Sequence, residues 1–144
     1  MRLHSQKYLL RKRDFMKESE VKKAVLKWLY RNGWSYAPKI KDLSEHGADI
    51  IVRHKNYPRY FVVECKGDPE KTRKERYKHG LRNVYFLTAL GQIITRMKPK
   101  AMYWYGIAFP ESYYSLLKKL PKPLRRRLRL KVFFVSKEGK VTVE

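Results

Sequence analysis

Two apolar runs joined by a short turn constrain the fold of this chain more than any other feature of its sequence. The runs are 48–53 (ADIIVR) and 59–66 (RYFVVECK), and both are rich in the β-branched and aromatic residues that favour strands. The short connection at 54–58 predicts that the two strands lie side by side and antiparallel. A weaker strand is predicted at 34–40, where Pro38 excludes a central position in a sheet.

Helical patterns separate these strands from further ones. The run 18–32 places apolar residues on one stripe at helical spacing, with basic residues opposite, and ends at Gly33. The segment 84–97 is apolar on most faces, which predicts a buried helix, whereas the basic stretch 67–83 is predicted to be an exposed, mobile connection. The remaining predicted elements are a strand at 101–109, a short helix at 111–119, a basic stretch at 122–131, and strands at 132–136 and 140–143.

This order of elements predicts an α/β protein. The helix-linked strands favour a mixed β-sheet flanked by helices on both faces, in the order α-β-β-β-α-β-α-β-β. A chain of 144 residues has the size of one domain. We therefore predict a basic amino-terminal arm at 1–17 and a single domain at 18–144.

The charge of the chain is strongly unbalanced, because 35 Lys and Arg stand against 13 Asp and Glu and give a net charge of +22. Such an excess opposes folding through self-repulsion unless a polyanion relieves it. Nucleic acid is the first partner that this charge indicates, and an anionic membrane surface is the second. The predicted nucleic-acid-binding residues lie in two basic runs and are Lys71, Arg73, Lys74, Arg76, Arg125, Arg126 and Arg127.

The sequence offers little for a membrane or secretory assignment. Its longest uncharged run, 101–110, is half of the ~20 apolar residues that a membrane span needs, and the amino terminus lacks the apolar stretch of a signal peptide. We expect a cytoplasmic protein without a membrane partner. Cys65 is the only cysteine, which excludes an internal disulfide, and no Cys/His cluster has zinc-site spacing. Any metal ion must therefore be held by oxygen.

The second apolar run ends in charged residues that could carry chemistry. Glu64 and Lys66 are two residues apart, so they emerge on the same face of a strand. If the two runs are neighbouring strands, Asp49 lies at the same end of the sheet as Glu64. Two carboxylates with a backbone carbonyl suit Mg²⁺, for which Mn²⁺ is expected to substitute, and the lysine could hold an attacking water. The cluster therefore suits metal-assisted phosphodiester hydrolysis.

These residues resemble the motif of the PD-(D/E)XK nuclease superfamily, which has the restriction-endonuclease-like fold. The resemblance covers roughly residues 18–109. It implies that Asp49 and Glu64 bind Mg²⁺ together with the main-chain carbonyl of Cys65, and that Lys66 serves the attacking water. The chain departs from the motif at Ala48, where the motif has a proline that is often absent in the family.

Two further positions follow from the same resemblance. Some members carry a glutamate in the first helix that approaches the metal, and both Glu18 and Glu20 qualify; Glu18 points closer to the sheet and is preferred as a ligand. Several members also place a catalytic glutamine on the helix after the lysine strand, which Gln92 matches. The tyrosine that follows this glutamine in exonuclease-like members is replaced by Arg96, which disfavours an exonuclease.

The sequence therefore favours a Mg²⁺-dependent DNA endonuclease, with RNA not excluded as the substrate. One alternative is a nucleic-acid-binding module on the same fold, with an inert site. Another is a basic RNA-binding protein, which explains the charge but leaves the carboxylates unexplained. A homodimer is one candidate assembly, for which the aromatic region 101–117 could supply an interface.

Overall fold

The computed structural model describes residues 15–36, 49–70 and 74–144. Residues 1–14 of the predicted arm and the end of the predicted strand 34–40 lie outside the described residues. The helices are α1 (Glu18–Arg31), α2 (Glu75–Thr95) and α3 (Lys122–Leu128), with a 3₁₀ helix at Glu111–Lys119. The strands are β1 (Trp34–Tyr36), β2 (Ile50–His54), β3 (Tyr60–Cys65), β4 (Tyr103–Pro110), β5 (Leu130–Val135) and β6 (Val141–Val143).

Within the described part of the chain, the six strands form one sheet in the order β1-β2-β3-β4-β5-β6. Strands β3, β4 and β5 are parallel, and the strands outside them pair antiparallel. The predicted hairpin is confirmed, because Ile50 of β2 pairs with Val63 of β3. Helix α2 forms the crossover from β3 to β4, as a parallel pair requires. The predicted α/β class with a mixed sheet and flanking helices is therefore confirmed.

The sheet separates two apolar cores. Helix α1 buries the predicted stripe, including Val21, Val25 and Leu29, against one face. Helix α2 and the 3₁₀ helix cover the other face. Because side chains alternate along a strand, Val63 of β3 faces α1 while Val62 faces α2. The same alternation decides which face each residue at the end of β3 reaches.

Helix α2 begins earlier than the sequence indicated. The prediction of a mobile connection at 67–83 is wrong, because the second half of this stretch is the first part of α2, whereas the predicted exposure holds for residues 74–77. Two ion pairs lie in this basic turn, in which Glu75 contacts Lys78 at 3.8 Å and Arg82 at 3.4 Å, and such surface pairs contribute little individually. The helix has no buried residue before Phe86, so its first three turns contribute little to the core.

Helix α2 is also less buried than predicted. It buries Phe86, Ala89 and Ile93 as a single stripe. Its other apolar side chains face outward, with Val84 53% exposed and Leu87 49% exposed. The prediction of a buried helix, which was made from its apolar residues on most faces, is therefore wrong, since only one stripe of α2 meets the sheet.

Two other segments differ from expectation. The basic stretch after Pro121 was predicted without regular structure but begins with helix α3, whose first turn tolerates Pro123. Within the 101–117 region, strand β4 lies buried between β3 and β5, whereas Met102 and Tyr114 on either side of it are exposed. Met16, assigned to the arm, is 8% exposed and packs on the α1 face of the sheet. Among the described helices, none combines the length and apolar character needed to cross a membrane.

Candidate active site

Asp49 and Glu64 lie opposite each other at the open end of the β2–β3 hairpin. The pairing of Ile50 with Val63 places Asp49 across from Glu64, one step beyond the last paired residues. The Asp49 carboxylate accepts a hydrogen bond from the Cys65 backbone N–H, with Oδ2 and N 2.7 Å apart. This bond holds Asp49 at the edge of β3 beside the Glu64 position. The two predicted residues therefore lie across from each other on neighbouring strands.

The backbone at the end of β3 also directs a carbonyl toward this place. The N–H of Lys66 donates to the Ala108 carbonyl of β4 at 3.0 Å, so the backbone groups of Lys66 face β4. Successive residues of a strand direct their backbone groups to opposite neighbours, so both the N–H and the C=O of Cys65 face the β2 side. The Cys65 carbonyl is thus directed to the side from which Asp49 approaches.

The Glu64 side chain is buried and paired. It is 3% exposed and lies on the α2 face of the sheet, because it alternates with Cys65. Its carboxylate forms a salt bridge with the guanidinium of Arg96, which follows the last residue of α2. A buried carboxylate needs such compensation, since an unpaired charge in a core is strongly unfavourable. The sequence indicated Arg96 only as a departure from a family pattern and gave no sign of this contact.

The Cys65 thiol is unsuited to chemistry. It lies in the apolar core beneath α1, and burial raises its pKa, with further upward contributions from the negative charges of Asp49 and Glu18. Lys22 and Lys66 oppose this shift but do not overcome it. The thiol therefore stays protonated near neutral pH, and only the carbonyl of this residue is available as a metal ligand.

Glu18 comes to the same end of the sheet through a close backbone contact. A Cβ on Gly67 would lie 2.4 Å from the Glu18 backbone nitrogen, so only glycine allows the chain after β3 to pass the start of α1. Glu20 is used differently, because its Oε2 accepts a 3.4 Å hydrogen bond from the Lys17 N–H and caps α1. Of the two candidate glutamates, Glu18 is the one whose carboxylate is not used for capping.

Gln92 lies on α2, one turn before Arg96. The two residues share a helix face, since side chains four residues apart are stacked along a helix. Gln92 is half-buried, and among the described residues its Oε1 has no hydrogen-bond partner. A buried amide oxygen without a partner is unfavourable unless a ligand or water serves it. Gln92 is therefore placed on the helix face from which Arg96 reaches Glu64.

Asp68 is a structural residue at this site that sequence reasoning missed. Its carboxylate accepts hydrogen bonds from the Met16 N–H at 2.8 Å and from the Ser112 hydroxyl at 2.6 Å, and it lies 3.8 Å from Arg82. The Asp68 N–H donates in turn to the Met16 carbonyl at 2.8 Å. Asp68 thus ties the segment after Lys66 to three other parts of the chain. The sequence did offer one signal for this role, which is the position of the aspartate directly after Gly67 at the end of the strand.

The predicted nucleic-acid-binding residues divide between opposite ends of the sheet. Lys74 and Arg76 are exposed at the start of α2, near the carboxyl end of β3. The arginines of α3 precede β5 and lie at the end where the parallel strands begin. Lys71 and Arg73 lie outside the described residues. The described basic residues therefore cannot all serve one small site. The α3 members of the set are Arg125, Arg126 and Arg127.

The atoms at the end of β3 that could bind a metal ion are of the type that a hard cation prefers. Two carboxylates and a carbonyl are oxygen ligands, which Mg²⁺ and Mn²⁺ prefer. Among the described residues, no three His, Cys, Asp or Glu side chains are grouped closely enough to hold a metal ion by themselves. A metal here would thus depend on the Cys65 carbonyl, on waters, and on a rearrangement of the Glu64–Arg96 pair.

Comparisons with models of protein families, with curated proteins and with solved structures find no match to this chain. Its class therefore rests on its own architecture, an α/β protein with a six-stranded mixed sheet over the described residues.

Proposed function

We propose that this protein is a metal-dependent nuclease of the restriction-endonuclease-like class, which hydrolyses phosphodiester bonds in DNA. The observation that carries this proposal is the position of Asp49, opposite Glu64 and hydrogen-bonded at 2.7 Å to the Cys65 N–H. A parallel β3–β4 pair linked by α2 supplies the rigid support that such a site needs. The net charge of +22 supplies the attraction for a polyanionic substrate.

Each residue has a distinct role in this proposal. Asp49, Glu64 and the Cys65 carbonyl would hold Mg²⁺, which supplies a Lewis acid for a phosphate oxygen. Lys66, directly after the strand, would orient the attacking water and offset charge that develops on the phosphate. Glu18 would approach from the start of α1 as a further carboxylate. These roles extend the resemblance to the PD-(D/E)XK nucleases.

Gln92 has a smaller role, which depends on Arg96. Both lie on the α2 face that meets Glu64, and the Gln92 amide oxygen is available to orient a water or a substrate group. Arg96 compensates the Glu64 charge. Gln92 would act together with the carboxylates rather than bind the metal itself.

A cleavage panel tests the proposal. The substrates are linear, nicked, flapped and four-way DNA and single-stranded RNA, each with Mg²⁺ or Mn²⁺. Substitutions Asp49→Asn, Glu64→Gln and Lys66→Met are expected to abolish cleavage, because each keeps the shape of the side chain and removes its charge. The matched controls are Glu70→Gln and Lys55→Met, which neutralise exposed residues elsewhere.

The outcome separates catalysis from binding. The three site variants should still bind DNA, although Glu64→Gln should be less stable than the parent because it leaves the Arg96 charge uncompensated. Both controls should cleave normally. Retained cleavage in all three site variants would refute the proposal. Cleavage of RNA alone would keep the chemistry but correct the substrate.

A second candidate function is a nucleic-acid-binding module with an inert site. The Glu64–Arg96 salt bridge favours it, because a guanidinium beside the carboxylate can replace a metal ion permanently. Calorimetric titration with Mn²⁺ distinguishes the two functions. Binding that disappears in Glu64→Gln supports the nuclease, and no heat at millimolar Mn²⁺ supports the inert module.

A further inference from the structure

A second concave site lies at the opposite end of the sheet from Glu64. It is a cavity of about 690 Å³ where β4 and β5 begin, and the half-buried indole of Trp104 forms part of its wall. The acidic side chain at its wall is Glu144. The basic side chains that line it are Arg59, Lys122, Arg125, Arg126, Arg129 and Lys131.

The cavity is separate from the proposed catalytic site. Trp104 pairs with Phe61 of β3 and packs with the α1-face core, whereas Glu64 lies on the α2 face. Glu64 is three residues beyond Phe61, which corresponds to ~10 Å along the strand. A chemical group that is bound in the cavity is therefore too far away to contact Glu64 or Lys66 as well.

The positive charge of this cavity is compensated only in part, because one acidic side chain, Glu144, stands against six basic ones among the described residues that line it. Within the described part of the chain, none of its six basic side chains forms a salt bridge. Six cations around one space repel one another, and in a concave site the field is stronger than on an open surface. Such an arrangement lowers stability unless an anion occupies the site.

Two of the arginines are held in place by backbone carbonyls. Arg125 donates to the Leu120 carbonyl, and Arg129 donates to the Ala101 carbonyl. A guanidinium has five N–H donors, so each arginine retains donors for a ligand. Arg129 also has a left-handed backbone conformation, with φ 54°, at the end of α3. The cations are therefore partly fixed before any ligand arrives, which reduces the ordering cost of binding.

We propose that this cavity binds an unpaired nucleotide of a nucleic-acid strand, with its phosphates on the arginines and its base against Trp104. Arginine matches phosphate geometry through two parallel hydrogen bonds, and aromatic rings stack on bases without regard to sequence. A volume of about 690 Å³ suits a ligand of nucleotide size. The bases of a duplex are paired and stacked on one another, so only an unpaired base is available to lie against Trp104. This inference rests on the proposed function only in taking nucleic acid as the partner.

Helix α3 provides a matched pair of variants for the test. Arg126 lines the cavity, and Arg127, the next residue, does not. Both are exposed on the same helix, so Arg126→Glu and Arg127→Glu change the total charge equally. Each is made in the Lys66→Met background without divalent metal, so that binding is measured apart from cleavage. Circular dichroism confirms that both variants fold.

Fluorescence anisotropy then measures binding of labelled oligonucleotides. For a single-stranded oligonucleotide, Arg126→Glu should weaken binding at least tenfold, and Arg127→Glu should weaken it no more than about threefold. A duplex with a single-stranded overhang should show the same difference, and a blunt duplex should show none. Trp104→Leu should also weaken single-strand binding while leaving blunt-duplex binding unchanged.

Three results would overturn the inference. Equal losses in the two arginine variants would mean that only general charge matters. Equal differences on blunt duplex would mean that the site takes paired DNA. Displacement of the bound oligonucleotide by a mononucleotide, at a lower concentration than the oligonucleotide itself needs for binding, would mean that the ligand is a free nucleotide. If the unsubstituted protein cleaves no substrate but its binding depends on Arg126 as expected, this inference stands and only the proposal of a nuclease is refuted.

Discussion

Removal of Arg96 tests the candidate site most directly, because Arg96 compensates the buried carboxylate on which the metal proposal depends. The Glu64 side chain is 3% exposed and that of Arg96 is 13% exposed, so neither is well solvated. Breaking a buried pair by removing one partner costs about 3–5 kcal/mol, because a charge is left uncompensated. We expect Arg96→Met to lower the free energy of unfolding by about this amount. Urea denaturation in the presence of EDTA measures it.

The double variant Glu64→Gln/Arg96→Met isolates the pair. Both variants lose every other contact of the Arg96 guanidinium, so they differ only in the charge left at Glu64. The double variant should therefore be more stable than Arg96→Met alone, which is a coupling between neighbours that independent sites do not show.

A divalent metal should reverse the defect only where the carboxylate remains. At a Mg²⁺ concentration 100 times its dissociation constant, binding to the folded state alone adds about 2.7 kcal/mol. Arg96→Met should thus regain about that much stability with Mg²⁺, while the double variant should not respond. A loss below ~1 kcal/mol in Arg96→Met would refute the buried pair, and no response to Mg²⁺ or Mn²⁺ would refute the metal site.

Two further predictions concern the segment after β3. Gly67→Ala should destabilise the protein by at least ~1–3 kcal/mol, because the added Cβ would lie 2.4 Å from backbone. Gly91→Ala has nothing within 4 Å of the added Cβ and should stabilise α2 by ~0.5–1 kcal/mol in the same urea assay. Equal effects of the two substitutions would contradict the close contact at Gly67. Tyr113 donates to the Gly67 carbonyl at 2.6 Å, and burial raises its pKa, so stability should fall above pH ~10, where the unfolded tyrosine ionises and the folded one does not. Tyr113→Phe should lower the free energy of unfolding by ~0.5–1.5 kcal/mol at neutral pH. Above pH ~10 its free energy of unfolding should decline less steeply than that of Tyr114→Phe, which changes an exposed tyrosine. Identical slopes in the two variants would count against this linkage.

The sequence identified the elements that the site needs, since they depend on local periodicity. The β2–β3 hairpin was predicted from two apolar runs with a short connection, and α1 from a stripe at helical spacing. Alternation along β3 also predicted that Glu64 and Lys66 share a face opposite the Cys65 thiol. These features follow from neighbouring residues, so a single sequence can show them.

The errors occurred where long-range contacts decide the outcome. The first half of α2 was predicted to be mobile because it has little to bury, yet the helix begins at Glu75 and Arg82 packs toward Asp68. Burial of the later half was overestimated for a related reason. Composition shows that side chains are apolar, but only the sheet decides which stripe of α2 is covered.

The amino-acid sequence by itself determined that this protein is a basic α/β chain with Asp49, Glu64 and Lys66 at the end of a strand hairpin. Only the tertiary structure decided that Arg96 compensates Glu64, and that Arg125 and Arg126 of α3 line a cavity at the other end of the sheet. The physical reason is that charge compensation and cavity formation join residues from distant parts of the chain. Their proximity depends on how the helices pack on the sheet, which local periodicity does not encode.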